Sequence, residues 1–307
     1  MKILLTGASG LLGTAFAQAA KRRGHHVVGI IGQYEGPLEG LAEKKRLDLS
    51  DLVKLEALIL EQFPDAIVNC AAISEPRSCE RDPSSSRLIN VALPEKLALL
   101  ARHLFATFIH ISSEQVFDGT AELYYRDSPP SPPNEYARQK LESEHRVNEL
   151  AAEFTSTLRL PLLMGNSLTG TRSLHERLLL SWSEGRPTPL FTDEYRQPCL
   201  VENAAAAMVE LCERPDLKGV YHWAGEKSLS RFEMGQRIAK HFGLPAEQLV
   251  VAAERGDNPR FANRQARLVF DLTPLASKLK TQPQAFSDQL DALIVPKPVR
   301  SWFNALP

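Results

Sequence analysis

Lys2-Ile3-Leu4-Leu5-Thr6-Gly7-Ala8-Ser9-Gly10-Leu11-Leu12-Gly13 carries an apolar strand through a glycine turn into an amphipathic helix. Glycines at these positions permit the tight turn, let a pyrophosphate approach the backbone and allow the helix to lie close to the strand. The free N–H groups and partial positive charge of the helix start then favour a phosphate. Glycines alone are a weak signal, but their place between strand and helix favours dinucleotide binding over a purely structural turn. The same stretch imitates a secretory leader, with Lys2, an apolar run to Leu12 and an Ala-rich piece at Phe16 to Ala20. An export signal has no need of glycine at every third residue. Lys21-Arg22-Arg23-Gly24 then ends the helix and His26 to Ile31 reads as a second strand, so the segment is expected to be a retained βαβ unit.

Outward from this unit, strands are expected at Lys2–Thr6, Val27–Ile31, Ala66–Cys70, Thr107–Ile111 and Ser156–Leu160, with Lys45–Leu47 as a further short piece. Helical patterns at Leu12–Arg23, Asp51–Gln62, Arg87–His103 and Glu135–Ala152 lie between them. Several strands are continuous apolar runs, as in a sheet covered on both faces. The alternation specifies an α/β fold, a Rossmann-type doubly wound parallel sheet. After the Pro-rich turn at Ser128–Pro133, the pattern loosens near Pro161. A first domain over residues 1–160 and a smaller one over 161–307 are expected, with part of 200–225 returning to the first.

A length of 307 residues fits two such units. Lys+Arg 36 against Asp+Glu 37 gives a net charge of -1, which argues against a nucleic-acid partner. No apolar run approaches the ~18 residues of a membrane span. Cys70, Cys79, Cys199 and Cys212 form no CxxC pair, and the histidines are scattered. Reduced thiols, a cytoplasmic location and no metal site are therefore expected.

Tyr136-Ala137-Arg138-Gln139-Lys140 sets a phenol and an ammonium one helical turn apart on one face. A nearby ammonium favours the phenolate, so Tyr136 is expected to have a lowered pKa and to exchange protons near neutral pH. Ser112-Ser113 closes the strand that begins at Thr107. Open parallel sheets bind ligands at such carboxyl ends, and a hydroxyl there can hydrogen-bond a substrate carbonyl. His110, inside the same strand, is expected to be a hydrogen-bonded core residue. For the cofactor, the second strand ends at Ile31-Gly32-Gln33 with no carboxylate for a ribose hydroxyl, Glu35 arriving late. Arg22, Lys44, Lys45 and Arg46 are candidate partners for a 2′-phosphate, so NADP(H) is favoured and NAD(H) stays open.

These residues resemble the extended short-chain dehydrogenases/reductases. The marks are the stretch from Thr6 to Gly13, Asn69-Cys70-Ala71-Ala72, Asn90-Val91, and Tyr136 with Lys140. Within that superfamily, Ile111-Ser112-Ser113-Glu114-Gln115-Val116-Phe117-Asp118-Gly119 is similar to the dTDP-4-dehydrorhamnose reductase group. So are Gly219-Val220-Tyr221-His222-Trp223-Ala224-Gly225 and Ser230-Arg231-Phe232-Glu233. The resemblance implies that Gly7, Ser9, Gly10, Leu11, Leu12 and Gly13 cradle the dinucleotide. Asp48 and Leu49 would face its adenine, and Cys70, Ala71, Ala72 and Asn90 would line its path. Ser113 would orient a keto oxygen, Tyr136 would protonate it, and Lys140 would tune Tyr136 and hold the nicotinamide ribose. The C-terminal domain would build a nucleotide-sugar pocket, with Glu114, Gln115, Arg196 and Gln197 as substrate-facing candidates. A homodimer is left open.

Two departures bear on the substrate. Glu114-Gln115 stands where the group usually has Asp-Tyr, and Tyr-Ala-Arg-Gln-Lys where it usually has Tyr-Gly-x-Ser-Lys. Gln115 cannot serve as an acid or base, which disfavours 4,6-dehydratase chemistry. Three readings follow. The leading one is a reductase of a nucleotide-linked 4-keto-6-deoxysugar. A sugar-nucleotide epimerase would use the same three groups. A nucleotide-holding regulatory protein is suggested by similarity to the β subunit of methionine adenosyltransferase around Lys218–Gly225 and Phe232-Glu233-Met234.

Overall fold

A computed structural model describes residues 1–259, 261 and 264–306. The first half alternates as β1 (Lys2–Thr6), α1 (Leu11–Arg22), β2 (His26–Ile31), β3 (Glu43–Arg46), α2 (Leu52–Gln62) and β4 (Ala66–Asn69). It continues with two short helices, α3 (Pro76–Arg81) and α4 (Pro83–Arg87), then α5 (Leu93–Leu104), β5 (Thr107–Ser113), α6 (Glu135–Ala151) and β6 (Thr155–Leu160). The second half runs β7 (Leu163–Met164), α7 (Leu174–Ser183), β8 (Thr188–Phe191), β9 (Tyr195–Arg196), β10 (Cys199–Leu200), α8 (Val201–Glu213) and β11 (Gly219–His222). After it come β12 (Leu229–Ser230), α9 (Arg231–His241), β13 (Val250–Ala253) and β14 (Arg267–Leu268).

Seven strands form one sheet in the order β11-β6-β5-β4-β1-β2-β3. Every pairing in it is parallel. The strand order reverses between β1 and β4, and a doubly wound sheet opens its ligand crevice outside the carboxyl ends at that point. Both faces are covered. On one, α1 and the Ala-rich α8 pack together through Phe16, Ala204, Ala207 and Met208; on the other, Leu55, Ile59, Leu97 and Val147 come from α2, α5 and α6. A second apolar cluster, with Met164, Trp182, Met234, Ile238 and Leu290, gathers residues from the loosened half of the chain. The segment from Val201 to His222 returns to the large sheet, since α8 lies on α1 and β11 pairs with β6.

The long helix expected over Arg87–His103 is interrupted. Leu88 to Ala92 form a π turn, in which the Leu93 N–H reaches back to the Leu88 carbonyl. Pro94 lacks the N–H that would bond the Asn90 carbonyl in a regular helix, and the wider turn accommodates that loss. No helix among the described residues is long and apolar enough to cross a membrane.

Candidate active site

The glycine turn is fixed by sterics that exclude other side chains. Gly7 has φ +65°, and a Cβ there would lie 2.7 Å from the Ala71 nitrogen and 2.8 Å from the Cys70 carbonyl carbon. A Cβ on Gly13 would lie 2.2 Å from the Gly7 carbonyl oxygen, so α1 is seated directly on the turn. Gly10 caps α1 in an extended conformation, without a side-chain cap and with no acidic residue in the first turn. The first N–H groups of α1 are thus left for an anion. Ser9, Leu11 and Leu12 complete this rim. Cys70 and Ala71 press on it from the end of β4, and Ala72 follows them.

Past the ends of β2 and β3, Arg46 pairs in register with Ile31, and its guanidinium meets Glu35 at 3.0 Å. Asp48 is exposed beyond it and accepts from the Ser50 N–H at 2.9 Å. Arg22 closes α1 at the end away from the glycine turn. Twelve helical residues span about 16 Å, so Arg22 is removed from any 2′-phosphate held at the turn. Lys45 is paired with Glu43 at 3.0 Å and Lys44 reaches the Gly36 carbonyl at 3.4 Å, so all three cations of β3 already have an oxygen partner; Arg46 is the one at its carboxyl end.

The carboxyl end of β5 meets the first turns of α6 beside this crevice. Asn134 caps α6 by accepting from the Ala137 N–H at 2.9 Å. The buried face then reads Tyr136, Lys140, Ser143, Glu144 and Val147, three and four residues apart. Burial pushes the Tyr136 phenol up to about 12, with the Ser113 hydroxyl pulling modestly the other way. This corrects the expected lowering by Lys140: desolvation is the largest influence, and the ammonium acts on Cys70 and His110 instead. Burial also brings Lys140 down to about 8, while Glu144 and then Cys70 hold it up. Among the described residues, the Lys140 Nζ makes no hydrogen bond.

A buried polar chain ties the turn to this helix. The Thr6 hydroxyl donates to Asn69 at 2.6 Å, and Asn69 contacts His110 Nδ1 at 3.4 Å. His110 Nε2 lies 3.0 Å from the Ser143 hydroxyl, which donates to the Lys140 carbonyl at 2.7 Å. His110 is fully buried, and desolvation holds it well below the usual imidazole range, so it is a hydrogen-bonded core residue. Asn90 stands on the π turn with its amide engaged. It accepts from the Ile73 N–H at 2.9 Å and donates to Gln139 at 2.9 Å, which orders the loop after β4 against α6.

A cavity of about 590 Å³ opens beside Glu114 and Gln115, with Arg177, Glu194, Arg196, Arg231 and Arg264 from the second half of the chain on its wall. Glu194 is its electrostatic centre. Arg264 grips it through two hydrogen bonds of 2.5 and 2.9 Å, with Arg196 at 3.4 Å and Arg231 at 3.9 Å. Burial opposes its charge, but these cations together hold its carboxyl below the usual range. Glu114 faces Arg196 at 3.4 Å, yet burial pushes it up to about 7, and its Oε2 has no hydrogen-bond partner among the described residues. Burial lowers Arg231 to about 10, and Arg177 makes no hydrogen bond among the described residues. Arg196 lies on β9 of a small three-stranded sheet. Gln197 is outside the cavity wall: its amide donates to the Gly225 carbonyl at 2.9 Å and accepts from the Phe270 N–H at 2.8 Å. Arg177, Glu194, Arg231 and Arg264 were not singled out as site residues by sequence reasoning. The one signal was Ser230-Arg231-Phe232-Glu233, a capping box that starts α9 at the cavity edge.

A reversed parallel sheet, a glycine-seated helix start and the Ser113–Tyr136–Lys140 grouping define an NAD(P)-dependent oxidoreductase of the extended short-chain dehydrogenase/reductase superfamily. The chain belongs to the family described as the RmlD substrate binding domain, whose model matches residues 1–297. It is 34% identical over 277 residues to methionine adenosyltransferase 2 subunit beta of Xenopus tropicalis, covering 86% of this chain and 79% of that one. It is 28% identical over 296 residues to the probable low-salt glycan biosynthesis reductase Agl14 of Haloferax volcanii, covering 95% and 97%. Among solved structures, a hypothetical dTDP-4-dehydrorhamnose reductase from Sulfolobus tokodaii superposes with a TM-score of 0.82 at 27% identity, covering 96% of this chain and 100% of that one.

Proposed function

We propose that the protein is an NADPH-dependent reductase of a nucleotide-linked 4-keto-6-deoxysugar. The observation that supports the reading is that the Ser113 hydroxyl bonds the Tyr136 phenol where β5 meets α6, with Glu114 next to Ser113 on the wall of the arginine-lined cavity and Lys140 facing Cys70 at the glycine turn. The turn fits a dinucleotide, because a Cβ on Gly7 or Gly13 would collide with backbone there while the start of α1 keeps its N–H groups free. Gly7, Ser9, Gly10, Leu11, Leu12 and Gly13 would hold the pyrophosphate, with Asp48 and Leu49 toward the adenine end and Lys140 at the nicotinamide ribose. Arg46 is the cation for a 2′-phosphate. When bound, the reduced nicotinamide supplies the hydride.

The chain's own residues do the rest. Ser113 donates a hydrogen bond to the keto oxygen and polarises it. Tyr136 keeps its proton at neutral pH and delivers it from the phenol oxygen as the oxygen gains charge. Lys140, one helical turn from the phenol, would hold the nicotinamide ribose in reach of the carbonyl carbon. Arg177 and Arg231 meet the diphosphate of the sugar nucleotide, as guanidiniums pair well with phosphate oxygens. Glu114 and Gln115 face the sugar. Incubation of the full chain with NADPH and a panel of nucleotide-linked keto-sugars tests this. Stoichiometric NADPH oxidation supports reduction, whereas product formed without net oxidation identifies an epimerase.

One observation favours a second reading. The 34% identity to methionine adenosyltransferase 2 subunit beta exceeds that to the glycan reductase. On it, the chain would bind NADP(H) and regulate a partner enzyme. NADPH binding without turnover, together with co-purification of a stoichiometric synthetase, would establish that role and remove the reductase.

A further inference from the structure

Beneath the catalytic turn of α6 lies a fully buried ion pair that the proposed chemistry does not use directly. Arg159, on β6, donates to Glu144 through two hydrogen bonds of 2.9 and 2.7 Å, and both side chains are about 5% exposed or less. The Ser112 hydroxyl, next to Ser113, donates to the same carboxylate. The Arg159 guanidinium is further fixed over the Phe117 ring at 5.0 Å and beside His222 Nε2 at 3.4 Å. Glu144 follows Lys140 by one helical turn on the same buried face.

We infer that Glu144 is a positioning residue whose carboxylate keeps Lys140 charged, with Arg159 setting how much of that negative charge the lysine feels. The inference rests on the catalytic reading of Lys140 given above. Two buried cations meet one anion here: Arg159 through its two hydrogen bonds to Glu144, and Lys140 one turn before Glu144 on α6. Arginine does not give up its proton in proteins, whereas a buried lysine does. If Glu144 loses its charge, two cations share a dry pocket and the lysine is the one that neutralises. If Arg159 is removed instead, the carboxylate acts on Lys140 undivided. Of the other titratable groups facing Lys140, Cys70 at the end of β4 and His110 on β5 are both held neutral by burial. Tyr136, one turn earlier on the same helix, keeps its proton in the same range. Glu144 is therefore the anion among these neighbours.

The test is an NMR titration of the full chain labelled with 13Cε-lysine, with the Lys140 signal assigned by its absence in K140M. In the native protein it should titrate near pH 8. E144Q should move the midpoint down by one unit or more, E144D should restore it, and R159M should move it up. The midpoint of pH-dependent NADPH binding should move in the same senses. Opposite shifts for E144Q and R159M are not the result of general loosening, which would move both alike. An unchanged midpoint in E144Q, or shifts of one sign in both variants, overturns the inference; should E144Q fail to fold, E144D and R159M still decide it. Absence of turnover in the native protein would count against the reductase and leave this titration intact.

Discussion

Gly13→Ala offers a stringent test of the dinucleotide crevice, because its consequence follows from one contact. The added Cβ would stand 2.2 Å from the Gly7 carbonyl oxygen, more than 1 Å inside the 3.4 Å at which ordinary contact begins. The obstructing atom is backbone and cannot rotate aside, so the start of α1 must move out by about 1 Å. Overpacking of this kind costs ~1–3 kcal/mol of stability. The ligand suffers more, since the N–H groups that would meet the pyrophosphate move with the helix. Losing one or two hydrogen bonds to a charged group, at ~1.5–3 kcal/mol each, weakens NADPH binding about 100-fold. At a concentration 100 times the native Kd, mass action stabilises the native protein by about 2.7 kcal/mol, and the variant by only about 0.4. Thermal unfolding with and without NADPH reads this as a ligand-induced shift that nearly vanishes. Gly256→Ala is the control, because nothing lies within 4 Å of a Cβ there. A Gly13→Ala protein that keeps the full NADPH-induced shift would refute the placement of the pyrophosphate.

Tyr136→Phe should bind NADPH as the native chain does and lose turnover by ~10²–10⁴-fold, the span of a positioned proton donor, as measured by NADPH absorbance under single-turnover conditions. Glu114→Gln tests the buried carboxyl. Its folded pKa of about 7 lies above the ordinary 4.5, so its contribution is intact below pH 4.5 and is lost as pH rises through 7, by roughly 3 kcal/mol. Denaturant curves of native and E114Q protein should therefore diverge in favour of E114Q between pH 5 and 8, and parallel behaviour would exclude the shift. Arg231→Met should raise the KM for the nucleotide sugar about tenfold or more while leaving NADPH affinity unchanged, because Arg231 lines the second-half cavity and not the glycine turn. An equal loss of NADPH affinity would place Arg231 in a structural role.

What the sequence disclosed is local. The strand-to-turn passage at Gly7–Gly13, the i, i+4 pair Tyr136 and Lys140, and the serines closing β5 each declare themselves within a few residues. They needed only the parallel sheet to be brought together. The arginine wall is different in kind: Arg177 comes from α7, Arg196 from β9, Arg231 from the start of α9, and Arg264 from a segment near β14. In a chain with 36 basic residues no spacing marks these four, and only the packing of separate segments around Glu194 assembles them. Gln197 shows the converse, a polar residue in a promising loop whose amide is fully taken up by Gly225 and Phe270. The π turn at Asn90 was hidden because the periodic apolar pattern runs unbroken across it while Pro94 changes the hydrogen bonding beneath.

The same distinction bears on the proposed choice of reduction over epimerisation at this site. Spacing alone suggested a phenol lowered by its lysine, which would serve equally as acid or base. Tyr136 is instead buried deeply enough that its proton is held up to about 12, while the adjacent ammonium is brought down to about 8. A phenol so held enters the reaction as a loaded acid. Carbonyl reduction needs only that, since the alkoxide formed is a far stronger base than the phenolate. An epimerase must also remove a proton with the same tyrosine in the oxidising half of its cycle, and a base that holds its proton so tightly is rarely free at neutral pH. Burial at the first turn of α6 therefore fits the acid role that the proposed reduction asks of Tyr136. A rate of keto-sugar reduction that stays level from pH 6 to pH 7.5 would agree with it, whereas a rate falling about tenfold per pH unit over that interval would show a phenol that loses its proton near neutral pH and would refute it.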